Sequence, residues 1–329
     1  MREPILVTGG AGYIGSHVVR DLWEEDHYYP VIYDNLSTGN AEHVLYGDLV
    51  RGDTGDLDLL IKTIRSRGIR SVMHFAASIS VPESVENPLK YYQNNTANSL
   101  SLIRACIETG VRQFVFSSTA AVYGVPAQSP VSEDTPPAPI NPYGKSKLFT
   151  ENILRDVSRS RKDFHYLALR YFNVAGADEN CRIGQNYPLP THLITLGLRT
   201  ALGKIPRLMI YGTDYDTPDG TAVRDYIHVD DLSRVHLLAL EHLKKTGKNG
   251  IYNCGYGRGF SVKEVVNRIR SVTGREFAIH HTERRSGDPP VLVASSDRIR
   301  RELGWNPVKD DLTRIIASAW AWEKKLQTP

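Results

Sequence analysis

Tyr143 and Lys147 stand four residues apart in Tyr143-Gly144-Lys145-Ser146-Lys147, behind the breaker-rich stretch 136–142 and at the head of a helical pattern. Four residues is about one helical turn, so the two side chains share a face. A free phenol has a pKa of about 10 and is a poor base at neutral pH. A neighbouring ammonium, helped by a cationic nicotinamide, stabilises the phenolate. Such a tyrosine can take the proton of a substrate alcohol while the carbon bearing it loses hydride. The same spacing also occurs on ordinary solvated helix faces, so the pair needs support from elsewhere in the chain. One support is Ser117-Ser118-Thr119, which closes an apolar run from Gln113 and sets hydroxyls at a strand end. Thr119 is expected to donate or relay a hydrogen bond at the substrate hydroxyl.

A second support is the stretch that would hold the cofactor. The apolar run Ile5-Leu6-Val7 leads into Thr8-Gly9-Gly10-Ala11-Gly12-Tyr13-Ile14-Gly15, and apolar residues then recur at helical spacing through Val18, Val19 and Leu22. Strand, glycine turn and helix follow without a spare residue. Glycines permit the tight turn and close backbone approach, and the helix N-terminus faces a pyrophosphate. An isolated GxGxxG also fits an ordinary glycine turn. Here a further run, Val31-Ile32-Tyr33, ends in Asp34, where a carboxylate should take the ribose hydroxyls of NAD. The same charge would repel the extra phosphate of NADP.

Strand and helix signals alternate onward from Asp34. Strands are expected at 49–51, 71–75, 113–117 and 166–169, and helices over 57–67 and 91–109, closed by Gly68 and Gly110. This alternation predicts an α/β fold, a Rossmann-type doubly wound parallel sheet over 1–175. Beyond it, Gly, Asn, Pro and Asp crowd residues 176–190, a boundary or mobile loop. Helices near 191–203, 230–244, 261–273 and 309–325, a strand at 208–211 and turns over 212–224 predict a smaller C-terminal α/β substrate-binding domain over 176–329. Part of 225–255 is expected to return to the first sheet.

Composition narrows the classes. Hydrophobic residues are 41% and charged residues 23% of 329, the balance of a soluble protein with a large core. The net charge of +3 is interspersed, leaving no basic tract for nucleic acid or membrane. No apolar run approaches the roughly 18 residues of a membrane span. The first strand begins too early for a signal peptide. Cys106, Cys181 and Cys254 lie far apart without CxxC spacing, which suits a reduced, cytoplasmic protein without disulfides. His228 and the pair His280-His281 lack partners at ligand spacing, so no metal is expected. Gly144-Lys145-Ser146 is no phosphate loop, because the glycine required upstream is Pro139.

The segments TGGAGYIGSH, YDNLSTGN, HFAA, ESVENPLKYYQNN, SSTAAVYG, NPYGKSKLFTE, LRYFNVAGA, GTAVRDYIHVDDL, YNCGYG and RRSGDPP follow one another in this order. Over residues 5–325 the chain resembles the UDP-glucose 4-epimerases of the extended short-chain dehydrogenase/reductase family. The resemblance implies that bound NAD oxidises carbon 4 of a UDP-hexose while Tyr143 takes the hydroxyl proton. The 4-keto sugar then turns over and receives hydride on its other face. The resemblance also implies that Gly9, Gly12, Tyr13, Ile14 and Gly15 meet the NAD pyrophosphate. Asp34 and Asn35 would hold the adenosine ribose, and Asp53 and Thr54 would frame adenine. Phe75, Ala76, Ala77 and Asn94 would continue the cofactor surface, with Lys147 at the nicotinamide ribose and Phe172 at nicotinamide. On the substrate side it implies Asn173 near phosphate, Leu193 and Tyr211 at uracil, Arg224 and Arg285 on the diphosphate, and Asp288 on the uridine ribose. The resemblance also implies a homodimer formed through the helices that here span roughly 91–109 and 146–160, with Tyr92, Leu100, Ile103, Phe149 and Ile153 as candidate contacts, some of which must face the sheet.

Competing roles exist for some of these residues. Arg224 could pair structurally with Asp225, Phe172 could be core, and Asp53 could cap a strand end. The chain also departs from the family pattern. Ile79 replaces a lysine often found after HFA, Thr195 replaces a proline after the uracil-side leucine, and Leu292 replaces a tyrosine that closes the sugar pocket in some members. The last change leaves UDP-glucose/UDP-galactose, UDP-N-acetylglucosamine and UDP-xylose/UDP-arabinose as candidate substrates. A 4,6-dehydratase would need an acid and a base beside Thr119, where this chain has Ala120 and Ala121. A non-catalytic NAD-binding protein would have no need of Tyr143 and Lys147.

Overall fold

A computed structural model of the chain describes residues 2–285 and 287–327. Its strands, in order, are β1 (Glu3–Thr8), β2 (Tyr28–Asp34), β3 (Asp48–Arg51), β4 (Ser71–His74), β5 (Gln113–Thr119), β6 (His165–Tyr171), β7 (Asn173–Ala175), β8 (Leu208–Tyr211), β9 (Val223–His228), β10 (Gly250–Cys254), β11 (Gly259–Ser261), β12 (Ile279–Thr282) and β13 (Val291–Leu292). Its helices are α1 (Tyr13–Glu24), α2 (Leu57–Arg67), α3 (Val81–Glu86), α4 (Pro88–Tyr91), α5 (Asn98–Thr109), α6 (Pro142–Ser160), α7 (Leu193–Ala201), α8 (Val229–Thr246), α9 (Val262–Thr273), α10 (Asp297–Leu303) and α11 (Leu312–Lys325). Seven strands form one parallel sheet in the order β10-β6-β5-β4-β1-β2-β3.

The side-chain period of two explains why that sheet is covered twice. On β1, Ile5 and Val7 join a core with Val18 and Leu22 of α1 and Leu232 and Leu240 of α8. Leu6 points the other way, to Leu60 and Ile64 of α2, Leu102 of α5 and Leu154 of α6. A strand apolar on both faces needs helices on both, and each such buried side chain is worth about 1.5–3 kcal/mol. The strand order reverses between β1 and β4, so a crevice opens at their carboxyl ends.

The later chain builds a small sheet, β11-β9-β13 with β7 also on β9, and the parallel pair β8–β12. Helices α7, α9 and α11 pack together beside them. A buried ionic seam ties this part to α1. Arg20 donates to Asp178 at 2.9 Å and Asp230 at 3.0 Å, and Lys309 to Asp230 at 2.6 Å. Among the described residues, no helix is long and apolar enough to cross a membrane.

Three local expectations change. The helix expected over 91–109 is α4, a π-helical turn at Tyr92–Ala97 and α5 in succession. The wider turn seats Asn95, whose amide donates to Ser78 O at 3.0 Å and Ser146 Oγ at 3.1 Å. Residues 212–224 are not turns throughout, because β9 begins at Val223. Ile103 is no exposed contact: it is 1% exposed in the core against the sheet.

Candidate active site

The glycine loop sits at the crevice with its backbone bare. Gly9 has φ +72°, and a Cβ there would fall 2.6 Å from Ala76 N, on the neighbouring strand end. A Cβ on Gly15 would fall 2.3 Å from Gly9 O. No side chain caps the N-terminus of α1, so its first amides stay available to an anion. Asp34 accepts from Ala11 N at 3.0 Å and Leu36 N at 2.8 Å, which fixes its carboxylate at the end of β2. Burial pushes its acid strength down, and those two amides oppose the change. Each oxygen keeps a further lone pair for a hydroxyl donor. A cradle that excludes side chains, an uncapped helix start and a fixed carboxylate fit a dinucleotide such as NAD.

Tyr143 lies in the first turn of α6, which Asn141 caps by accepting from Gly144 N at 2.9 Å. Tyr143 is 7% exposed, and its ring meets that of Tyr91 edge-on at 6.4 Å. One turn on, Lys147 is 2% exposed, donates to Ser117 O at 2.8 Å and lies 4.9 Å from the Phe116 ring centre. Burial pushes the Tyr143 phenol up, and the Thr119 hydroxyl opposes it. Burial pushes the Lys147 ammonium down to about 7, while Glu151 pulls the other way. Thr119 Oγ1 accepts from Ala121 N at 3.1 Å, which leaves its own hydrogen free to donate. The group can hold and release one proton at a buried phenol, with a second hydroxyl beside it.

A cleft of about 810 Å³ runs from the glycine loop past Tyr143 and Thr119 to the loop before β13. Gly9, Gly12, Tyr13, Ile14, Gly15, Asp34, Asn35 and Thr54 line one end, and Phe75, Ala76, Ala77, Asn94 and Phe172 continue its wall. Asn173, Arg224, Arg285, Asp288 and Leu292 line the other end. Arg224 does not pair with Asp225; it meets Asp288 at 3.4 Å. Asp225 instead accepts three backbone amides, from Tyr256, Gly257 and Ala294. Four expected residues stand off the cleft wall. Asp53 is turned to Asn35, Gly55 and Asn98 and braces the loop after β3. Lys147 is turned to Ser117 O and the Phe116 ring. Leu193 packs into the core, and the Arg285 guanidinium covers the Tyr211 ring at 3.8 Å.

Tyr187, Thr191 and His192 also line the cleft, within or just beyond the stretch expected to be a boundary loop. A Tyr-Pro-x-Pro run carries no helical or strand period, so spacing gives no signal for them. Among the described residues, no group of three or more His, Cys, Asp or Glu side chains is placed to hold a metal ion.

The NAD dependent epimerase/dehydratase family model matches residues 5–255. The UDP-glucose 4-epimerase of Azospirillum brasilense is 53% identical over 325 residues, covering 98% of this chain and 92% of that protein. The chain belongs to the UDP-glucose 4-epimerase family. Among solved epimerases, the UDP-glucose 4-epimerase of Brucella ovis in complex with NAD matches with a TM-score of 0.94 at 46% identity, over 97% of this chain and 98% of that one. The UDP-Glc/GlcNAc 4-epimerase of Campylobacter jejuni matches with a TM-score of 0.87, also at 46% identity, over 98% and 99%.

Proposed function

We propose that this protein is an NAD-dependent UDP-sugar 4-epimerase whose main pair is UDP-glucose and UDP-galactose. The observation that carries the reading is the single cleft joining the bare glycine loop, the Tyr143–Thr119 hydroxyls and the arginine pair Arg224 and Arg285. Bound NAD would supply the hydride acceptor and donor for carbon 4 of the sugar, with no net redox change. The α1 amides and Gly9–Gly15 backbone hold its pyrophosphate, and Asp34 holds the adenosine ribose. Tyr143 Oη takes the proton of the 4-hydroxyl and gives it back after the sugar has turned. Lys147 stabilises the phenolate during the interval, and Thr119 donates to the reacting oxygen. Arg224 and Arg285 neutralise the diphosphate, Asp288 takes the uridine ribose, and Leu193 and Tyr211 flank uracil once Arg285 turns to phosphate. Ala120 and Ala121 line the cleft without an acid or a base, which favours epimerisation over elimination.

A second reading concerns the sugar. Leu292 lines the cleft and packs on the apolar group of Ala120, Val122 and Phe172. A leucine offers neither the bulk nor the hydroxyl of a tyrosine, so an N-acetyl group at carbon 2, or a pentose, finds room. The protein is further proposed to be cytoplasmic and to work as a homodimer, since Leu89, Leu100 and Phe149 on α4, α5 and α6 are 77%, 50% and 46% exposed. Incubating purified protein with UDP-glucose, UDP-N-acetylglucosamine and UDP-xylose, without added NAD, tests the function. UDP-galactose should form fastest. No conversion of any of the three, with the nucleotide bound, would overturn the reading.

A further inference from the structure

One buried charged cluster lies outside the cleft yet touches both elements that carry the chemistry. Glu151 follows Lys147 by one turn on α6. Its Oε1 accepts from Ser118 Oγ at 2.5 Å and from Arg170 Nε at 2.9 Å, and its Oε2 accepts from Arg170 Nη2 at 2.6 Å. The two charged side chains are 0% and 2% exposed. Ser118 lies between Ser117, whose carbonyl receives Lys147, and Thr119. Arg170 in turn rests on the ring of Tyr123 at 4.8 Å, and Tyr123 donates to Asn253 of β10 at 2.7 Å.

A buried ion pair is a poor way to gain stability, because desolvation offsets most of the attraction. A purely structural clamp between α6 and the sheet needs no net-charged partners, since apolar side chains serve there as well. What an apolar pair cannot supply is a fixed negative charge one turn from a buried ammonium. We infer that Glu151, held by Arg170 and Ser118, is a positioning residue that sets the height of α6 against the end of β5 and holds a negative charge one turn from the Lys147 ammonium. The inference rests on the assignment of Tyr143 and Lys147 above. Its electrostatic half agrees with the environment of Lys147, where burial lowers the ammonium and Glu151 opposes it. The other titratable and charged groups around the pair are few. His74 of β4 is pushed down to about 3 and stays neutral. Tyr171 and Tyr166 of β6 and Tyr91 of α4 are all pushed up and stay protonated, and Arg155 of α6 faces Tyr166. Arg170 is already paired.

The test compares parent, Glu151→Gln and the neutral pair Glu151→Gln/Arg170→Gln, each also carrying Tyr143→Phe as a blank. The single variant strands the Arg170 charge, so the double variant carries the test where the single one does not fold. Expected are a folded protein with its nucleotide content intact, KM within about twofold and kcat down about tenfold. The alkaline limb of kcat should move to lower pH by about one unit, because Lys147 then loses its proton earlier. At pH values where Lys147 of the parent is still charged, the near-ultraviolet phenolate absorbance of Tyr143, read as the difference from the blank, should be weaker in the variants. Ser118→Ala keeps the charge and should leave both pH profiles in place. Profiles that superimpose on the parent, a loss confined to KM, or failure of both Glu151 variants to fold would overturn the inference and leave only a structural clamp. The absorbance needs no turnover, so a wrong sugar assignment fails separately, in the parent's own assay.

Discussion

Removing a single oxygen isolates the chemistry of Tyr143. Tyr143→Phe keeps the ring against Tyr91 and the first turn of α6. Fold and nucleotide content should therefore persist while kcat falls by about 10²–10⁴, the usual worth of a general base. Near-parental turnover would remove Tyr143 from that role. Leu292→Tyr should depress UDP-N-acetylglucosamine conversion selectively and spare UDP-glucose; an equal loss on both substrates would show that Leu292 is no gate. The Tyr143–Lys147 pair was legible in the sequence because one helical turn puts both residues on one face, and the glycine loop and Thr119 supplied the support that spacing alone lacks. Glu151 stood in the same motif, but its meaning depends on Arg170, nineteen residues on and across a strand pairing. Tyr211 and Leu193 show the opposite case. Their positions follow from family pattern, yet in this structure Arg285 and core packing occupy the surfaces they were expected to offer.

Helix α6 carries both side chains proposed for the proton transfer, Tyr143 and Lys147, so its start matters more than its length. Asn141→Ala removes the cap on Gly144 N and should cost about 0.5–2 kcal/mol. Fraying of that first turn moves Tyr143 before Lys147, so kcat should fall and Asn141→Asp should restore it; a lowered melting temperature with unchanged kcat would count against the link. The long elements were readable because their apolar periods continue over several turns or a whole buried strand. Helix α2 runs over the residues expected, Leu57–Arg67, with Gly68 closing it. Short elements were not readable. Strands β7, β11 and β13 have two or three residues each and exist only through β9, which pairs with all three. The π-helical turn was equally hidden, since its cause is the set of bonds made by Asn95 to distant residues.

Five buried histidines, His17, His43, His74, His228 and His236, give the whole molecule a defined response to acid. Burial pushes His17 and His236 down to about 4, and His74 and His228 to about 3. Below the ordinary histidine pKa of 6.5 the unfolded chain takes up protons that the native state refuses. Stability should thus be full above pH 6.5 and fall as the pH drops toward about 4. Nδ1 of His236 donates to Leu232 O and its Nε2 has no partner, so His236→Gln should lessen the slope by about 1.4 kcal/mol per pH unit. Urea unfolding at a series of pH values measures this, and an unchanged slope would mean that His236 is protonated in the native state. Sedimentation at micromolar concentration should give a dimer, and a monomer would leave the exposed apolar side chains of α4–α6 without a role. The return of β10 to the edge of the main sheet sets a condition on synthesis. While the ribosome is still making the chain between Tyr171 and Gly250, β6 pairs with β5 on one side only and its outer edge is open. A nascent chain arrested there presents a sticky template to its neighbours. Only when Gly250–Cys254 has emerged and docked does that edge close, so completion of the seven-stranded sheet waits on chain made long after β6.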